Sequence, residues 1–294
     1  MKAIDARTRI RLKNILYCTD LSSAAADAFP YAIGLARHFG AKLYALHVRR
    51  ADQLTSAPER WPATEELAHI KQGMNKLLEG NSEITSEAVI KEGELWGSVG
   101  SVIETKQIDL VVLGTSGRSG LARLLLGSAA EEIFRRASCP VLTVGPRAST
   151  LLLRGSDAAH ILYATDFTSE SVVAAPYAIS LAQEYQAHLT LLHVIVDPET
   201  GDLVRPQELV ASSEKLLRDL VPSEAELWCE PRFVVEQGPA AETILDVADL
   251  KKADLIVLGV RHPAGIPGAA THLPITTAHK VVSHANCPVL TVRA

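Results

Sequence analysis

Apolar residues along this chain fall into two alternating patterns. Short, nearly unbroken apolar runs recur: Asn14-Ile-Leu-Tyr-Cys-Thr-Asp20, Lys42-Leu-Tyr-Ala-Leu-His-Val48, Asp109-Leu-Val-Val-Leu-Gly114 and Val141-Leu-Thr-Val144. Runs of this kind, with no polar residue at every second position, predict strands buried on both faces of a parallel sheet. Ser86 to Ile90 predicts one more strand. The segments between them carry apolar residues at helical spacing. After Asp20, Ser22 or Ser23 caps a helix whose Ala24, Ala28, Tyr31, Ala32, Leu35, Ala36 and Phe39 share a face, and Gly40 ends it. Further helices are predicted over Thr64–Leu78, Leu95–Lys106 and Ala129–Arg136, the last with Glu131/Arg135 and Glu132/Arg136 as i,i+4 pairs. Residues 49–63, with Pro58 and Pro62, read as a loop. Strands alternating with helices imply a doubly wound α/β fold with right-handed crossovers.

The whole pattern then starts again. Residues 14–48 align without a gap to residues 160–194, with 18 of 35 positions identical. Asn14-Ile-Leu-Tyr-Cys-Thr-Asp20 returns as His160-Ile-Leu-Tyr-Ala-Thr-Asp166, and Pro30-Tyr-Ala-Ile33 as Pro176-Tyr-Ala-Ile179. Asp109–Gly114 returns as Asp254–Gly259, and Cys139-Pro-Val-Leu-Thr-Val144 as Cys287-Pro-Val-Leu-Thr-Val292. A period this long is a duplicated domain rather than a solenoid repeat. The predicted domains are 1–147 and 156–294, joined through Gly145 to Ala159.

The chemistry gathers in the first half at Gly114-Thr-Ser-Gly117-Arg-Ser-Gly-Leu-Ala-Arg-Leu-Leu-Leu-Gly127-Ser128. This stretch leaves a buried strand and opens a helix. Such a junction presents unpaired backbone N–H groups to an anion, and the helix dipole reinforces them. Gly114 and Gly117 allow close backbone approach, while Gly127 and Ser128 sit where the helix begins. The stretch is neither GxxxxGK[ST] nor GxGxxG, and glycines for a tight turn plus a helix cap would also account for it.

The spacing Gly-x2-Gly-x9-Gly-Ser, together with the Cys-Pro-Val-Leu-Thr-Val strand, resembles the ATP-binding signature of the universal stress protein family. The resemblance covers both halves and implies in each a five-stranded, Rossmann-like parallel sheet of order 3-2-1-4-5. It also implies a nucleotide at the carboxyl ends of the strands, where the order reverses. Carried over by position, Asp20 contacts the adenosine part and the backbone at Val48 contacts adenine. Leu113, Gly114, Ser116, Gly117, Gly127, Ser128 and Ala129 hold ribose and phosphates. ATP, with or without Mg, is the ligand so implied. Asp20 serves equally well as a cap for the following helix, Arg118 as a solvated residue, and His47 and His193 as satisfied structural groups.

The second half departs from this signature. Gly259 survives, but His262 stands where the second glycine should be. Counting back from Cys287 puts Ile275 and Thr276 at the places of Gly127 and Ser128. Side chains there obstruct close approach, so this half is expected to bind ATP poorly or not at all, although Thr276 can cap its helix. His262, His272, His279 and His284 enrich its loop and helix but do not form a tetrahedral ligand pattern.

Composition narrows the partners. Charged residues make up 21%, aromatics 5%, and the formal net charge is −5. No basic cluster suits a nucleic acid, and no apolar run is long enough for a membrane span. Neither signal peptide nor CxxC pair is present, so a cytoplasmic protein with reduced Cys18, Cys139, Cys229 and Cys287 is expected. The fifth strand is an exposed edge used for pairing in the family, which implies a pseudo-dimer of the two halves within one chain. Pairing of two chains is also compatible with it. The leading expectation is an ATP-binding stress-response module or sensor. A slow ATPase, and an interaction scaffold in which nucleotide is only structural, are the alternatives. No catalytic residue or metal ligand is assigned.

Overall fold

The computed structural model describes residues 9–49, 63–115, 126–146, 148, 159–196, 206–222, 230–261 and 276–293. Two compact units are present: residues 11–146, and the described residues from 159 onward together with Arg9 and Ile10. These two residues are tied to the second unit through an Arg9–Glu184 ion pair of 3.5 Å and an Ile10 N–H bond of 3.1 Å to Ser180 Oγ.

In the first unit the order is β1 (Asn14–Cys18), α1 (Ser23–Ala26), α2 (Phe29–Phe39), β2 (Lys42–Arg49), α3 (Ala63–Leu78), β3 (Ser86–Glu92), α4 (Leu95–Lys106), β4 (Leu110–Gly114), α5 (Ser128–Arg136) and β5 (Val141–Val144). The strands lie in the order β3-β2-β1-β4-β5 and their pairs are parallel. The second unit repeats this with β6 (His160–Ala164), α6 (Ser169–Val172), α7 (Ala175–Tyr185), β7 (His188–Ile195), α8 (Pro206–Asp219), β8 (Arg232–Gln237), α9 (Ala240–Lys251), β9 (Leu255–Val260), α10 (Thr277–His284) and β10 (Val289–Arg293). Its parallel order is β8-β7-β6-β9-β10. Each unit therefore has the expected 3-2-1-4-5 arrangement. Right-handed crossovers put α1–α3 on one face and α4 and α5 on the other, so both faces are covered. That double covering is why Ile15, Leu16, Leu43, Val111 and Val112, and their counterparts Ile161, Leu162, Leu189, Ile256 and Val257, are buried.

One element differs from the sequence reading. The helix predicted from Ser22 to Phe39 is two helices, broken at Asp27–Ala28. Pro30 is the cause. It has no N–H to give Ala26 O, and its ring crowds that carbonyl, so it is tolerated only in the first turn of a new helix. Pro176 breaks α6 from α7 in the same way. Ser22 and Thr168 cap the short pieces, and Gly40 ends α2 in the left-handed region at φ 62°.

Several polar bonds recur at the same place in both units. Asp109 precedes β4 instead of starting it; its Oδ2 accepts from Lys13 and Asn14 N–H at 2.7 and 2.9 Å. Asp254 Oδ2 accepts from His160 N–H at 3.0 Å. The buried hydroxyls of Tyr17 and Tyr163 donate to the carbonyls of Ala25 and Ser171, at 2.7 and 3.0 Å, pinning the short helices onto the sheet. The two i,i+4 pairs of α5 are formed as the sequence suggests.

Candidate functional site

Between β1 and β4 the chain reverses its direction of travel across the sheet, and a crevice at their carboxyl ends follows from that topology. Cys18 of β1 lies opposite Leu113 of β4, so Thr19, Asp20, Gly114 and Thr115 emerge side by side. Thr19 N–H donates to Leu46 O and Thr115 N–H to Val144 O, at 3.0 and 2.9 Å, extending the ladder one step beyond the strands.

Asp20 begins a tight turn. Its Oδ1 accepts from Ser22 N–H at 2.9 Å, Thr19 Oγ1 accepts from Leu21 N–H at 3.0 Å, and Leu21 sits at φ 62°. The cap of α1 is Ser22, which accepts from Ala25 N–H at 3.1 Å, so Asp20 shapes the turn without itself capping the helix. The buried His47 brings Nδ1 to 3.0 Å from Thr19 O. A carbonyl only accepts, so Nδ1 carries the proton and the imidazole ties the ends of β1 and β2 together. His193 does the same with Thr165 O at 2.9 Å. Val48, half-buried, follows His47 on β2.

The other wall is the start of α5. Gly127 is its N-cap, with ordinary extended geometry at φ −61° and ψ 147° and no side chain to bond the first turn. Its own N–H is used on Thr115 O at 2.8 Å, while its carbonyl accepts from Glu131 N–H at 2.8 Å. The N–H groups of Ser128, Ala129 and Ala130 have no partner within the helix, and Ser128 and Ala129 are exposed. Leu113 is buried and Gly114 half-buried at the end of β4. Of the sequence-predicted residues, Asp20, Val48, Leu113, Gly114, Gly127, Ser128 and Ala129 lie at the carboxyl end of the first sheet. Ser116, Gly117 and Arg118 lie outside the described residues.

Sequence reasoning missed Arg49. Its guanidinium, at the rim beside Val48, bonds Glu66 of α3 at 3.3 Å and Glu92 of β3 at 2.6 Å, and its side chain is only 12% exposed. The signal available was a charged residue closing an apolar strand, with Ile195 in its place in the other half.

At the end of β1, burial pushes the Cys18 thiol and the Tyr17 phenol up to about 12, so neither supplies an anionic nucleophile at neutral pH.

The second unit keeps the acidic turn but closes it on itself. Asp166 Oδ1 accepts from both N–H and Oγ1 of Thr168, at 3.1 and 2.6 Å. Burial opposes its ionisation, yet hydrogen bonds from Thr168 and Ser171 outweigh that and hold the carboxyl below its usual range. Phe167, at φ 62°, lays its ring 4.4 Å from that of His193. At α10, Thr276 is the N-cap, and its Oγ1 accepts from His279 N–H at 3.2 Å. Gly259 has a packing reason to be glycine: a Cβ there would overlap Glu170 O and the Ser171 Cα of α6. His262, His272 and Ile275 lie outside the described residues, and among the described residues no group of three metal-ligating side chains forms.

Comparison with known proteins places these features in a family. The model of the universal stress protein family matches twice, over residues 11–145 and 158–293. A universal stress protein of Methanocaldococcus jannaschii is 34% identical over 140 residues, covering 45% of this chain and 81% of that protein. A Staphylococcus aureus protein described by the same family name is 37% identical over 146 residues, covering 46% of this chain and 85% of its own. The crystal structure of a universal stress protein from Archaeoglobus fulgidus superposes with a TM-score of 0.69 at 19% identity, covering 97% of this chain and 99% of that one. That last likeness speaks for the fold.

Proposed function

The chain belongs to the universal stress protein family, and from that premise we propose that its first unit is a cytoplasmic ATP-binding module of stress response. The observation that carries the reading is the bare glycine cap of α5. Gly127 has no side chain to bond the first-turn N–H groups of Ser128 and Ala129, which among the described residues have no partner within the helix, at the carboxyl end of the sheet that also carries Gly114 and Asp20. A polyanion is the ligand such donors suit, since they face it at the positive end of the helix.

In this reading the adenosine part lies against Asp20 and the backbone at Val48, where Arg49 closes the rim. Ribose and phosphates lie on Leu113, Gly114, Ser116, Gly117, Gly127, Ser128 and Ala129, with Mg as an optional companion. The protonated Cys18 and Tyr17 supply no anionic nucleophile or base, which favours binding over turnover. The second unit is a partner domain that does not take ATP.

The test is to denature freshly purified protein and identify any released nucleotide, then to titrate the stripped protein with ATP. About one adenine nucleotide per chain supports the reading. Gly127→Val is the control, because φ −61° admits a side chain without backbone strain, so lost binding there reports blocked approach. No saturable binding by the stripped wild type would overturn the proposal, and two per chain would overturn the assignment of the second unit.

A further inference from the structure

The amino ends of the two sheets carry the same cluster of positions with different charges. In the first unit Lys42 opens β2, Tyr44 lies two residues on, and Glu87 of β3 is the register partner of Tyr44. Lys106, the last residue of α4, completes the group. Glu87 accepts from Lys42 Nζ at 2.6 Å and from Lys106 Nζ at 2.9 Å, and both ammonium groups sit over the Tyr44 ring, 4.7 and 5.1 Å from its centroid. One carboxylate bridges two cations, and its bonds to Lys42 and Lys106 hold it below the usual range.

In the second unit His188 opens β7, Thr190 lies two residues on, Arg232 of β8 is the register partner of Thr190, and Lys251 ends α9. Register partners on neighbouring strands point to the same face. Thr190 shows which face this is. Its hydroxyl bonds His160 Nε2 at 2.8 Å, and Nδ1 of that ring bonds Lys251 O at 3.1 Å. Arg232 and Thr190 therefore look toward α9, as Glu87 and Tyr44 look toward α4. His188 is the register partner of His160, and their rings lie edge to face with centroids 6.3 Å apart.

The bridging carboxylate is missing from this second cluster. Arg232 stands in the place of Glu87, a change of two charges, while Lys251 keeps the place of Lys106 and His188 takes that of Lys42. Among the described residues Arg232, Lys251 and His188 form no ion pair. The acidic groups nearby are engaged: Asp254 Oδ2 accepts from His160 N–H at 3.0 Å, and Asp249 bonds Asn286 at 2.9 Å. Burial lowers the pKa of His160, and the charges of His188, Lys251 and Arg232 lower it further against the Lys251 carbonyl. Arg232 and His188 are exposed and Lys251 half-buried, so a solute can reach them. The chain as a whole is acidic, at −5, so the surplus is local.

We propose that Arg232, Lys251 and His188 form an anion site at the amino end of the second sheet, taking a phosphate group where Glu87 holds its carboxylate in the first unit. Arginine offers an oxyanion two parallel N–H donors, and lysine adds a point charge. Lys106 demonstrates the reach, since a lysine ending this helix spans to the matching place on the outer strand. A doubly charged phosphate matches two permanent cations better than a monoanion does. The site lies at the opposite end of the strands from the nucleotide crevice and does not rest on that reading.

The test is an amide NMR titration of the full, nucleotide-stripped chain with inorganic phosphate, against potassium chloride at matched ionic strength. Saturable shifts at residues 188, 232, 251 and 252 are expected with phosphate alone. Arg232→Glu and Lys251→Gln should each weaken that binding roughly tenfold. Arg232→Glu copies the first unit, so in phosphate-free buffer its Tm should also rise by about 1–2 °C. Glycerol phosphate, run beside the free ion, identifies the source: tighter binding supports the site with an ester as occupant, weaker binding supports it with the free ion. Equal shifts with chloride, or phosphate binding unchanged in both variants, would overturn the site. Shifts confined to residues 127–130 would also overturn it, and would report the crevice instead, so the two proposals fail separately.

Discussion

The two halves of this chain are copies that agree in their framework and disagree at one helix start. Tyr17 and Tyr163, His47 and His193, and Asp109 and Asp254 make the same bonds in each unit. These ties join strand to strand or strand to short helix, and each contributes about 1 kcal/mol to holding the framework together. The helix that follows β4 or β9 is different. In α5 the cap is a glycine with no side chain to bond the first turn, whereas in α10 the cap is Thr276, whose hydroxyl accepts a first-turn N–H. A cap satisfied from within has less to offer a ligand. The comparison separates what the fold needs from what a ligand would use.

Glycine at the end of the fourth strand belongs to the first category. Gly259 lies under α6 in the unit that lacks the rest of the motif, and in the first unit α1 packs on β4 at the matching place. A shared glycine is thus no sign of a shared ligand. The largest effect we expect comes from this site. Gly259→Ala forces a methyl into the α6 backbone and should cost the second unit about 3 kcal/mol, read by denaturant titration. A cost below about 1 kcal/mol would mean that α6 yields easily, and the packing argument would fail.

Tyr17→Phe and Tyr163→Phe come next. Each removes a buried hydroxyl and the bond it donates to the short helix, for an expected loss of about 1 kcal/mol. The two losses should match, since the bonds are of the same kind at the same place. Unequal losses would show that the repeated bond does not have the same role in the two units.

The caps make the comparison sharpest. Thr276→Ala should cost about 1 kcal/mol, the usual value of a lost N-cap. Gly127→Asp should do the reverse, gaining a few tenths of a kcal/mol because a carboxylate now accepts first-turn N–H groups. If ATP binds at this helix start, the same substitution should weaken it roughly 100-fold, through charge placed beside phosphate. Higher stability with unchanged affinity would place the ligand elsewhere.

Much of this organisation is legible in the sequence because buried parallel strands are written as unbroken apolar runs, and the repeat doubles every signal. The break in the first helix was not read, since Ala24, Ala28 and Tyr31 keep a helical spacing straight through Asp27 and Pro30. The second half's departure from the signature is legible at His262, Ile275 and Thr276, but the bonding of Asp166 with Thr168 is not. The ion pairs of Arg49 with Glu66 and Glu92 are invisible in one dimension, because the partners are distant along the chain. Local pattern carries the framework, whereas contacts between distant polar residues appear only in the fold.

The smallest effect lies at the opposite end of the sheet, where His160 stands in for Asn14. Its Nδ1 donates to Lys251 O at 3.1 Å, and its Nε2 accepts from the buried Thr190 hydroxyl at 2.8 Å. Both nitrogens are engaged with the ring neutral. Burial lowers its pKa, the Lys251 carbonyl opposes that, and His188, Lys251 and Arg232 add to the lowering. A folded value below the unfolded one means that the full contribution is present above pH 6.5 and drains away as pH falls through the folded value. The second unit should therefore lose stability in weak acid at a position where the first carries Asn14, which does not titrate. His160→Asn, which copies the first unit, should flatten that decline between about pH 6.5 and 5 in a thermal series. An equally steep decline in the variant would assign the acid sensitivity to other groups and remove this last difference between the halves.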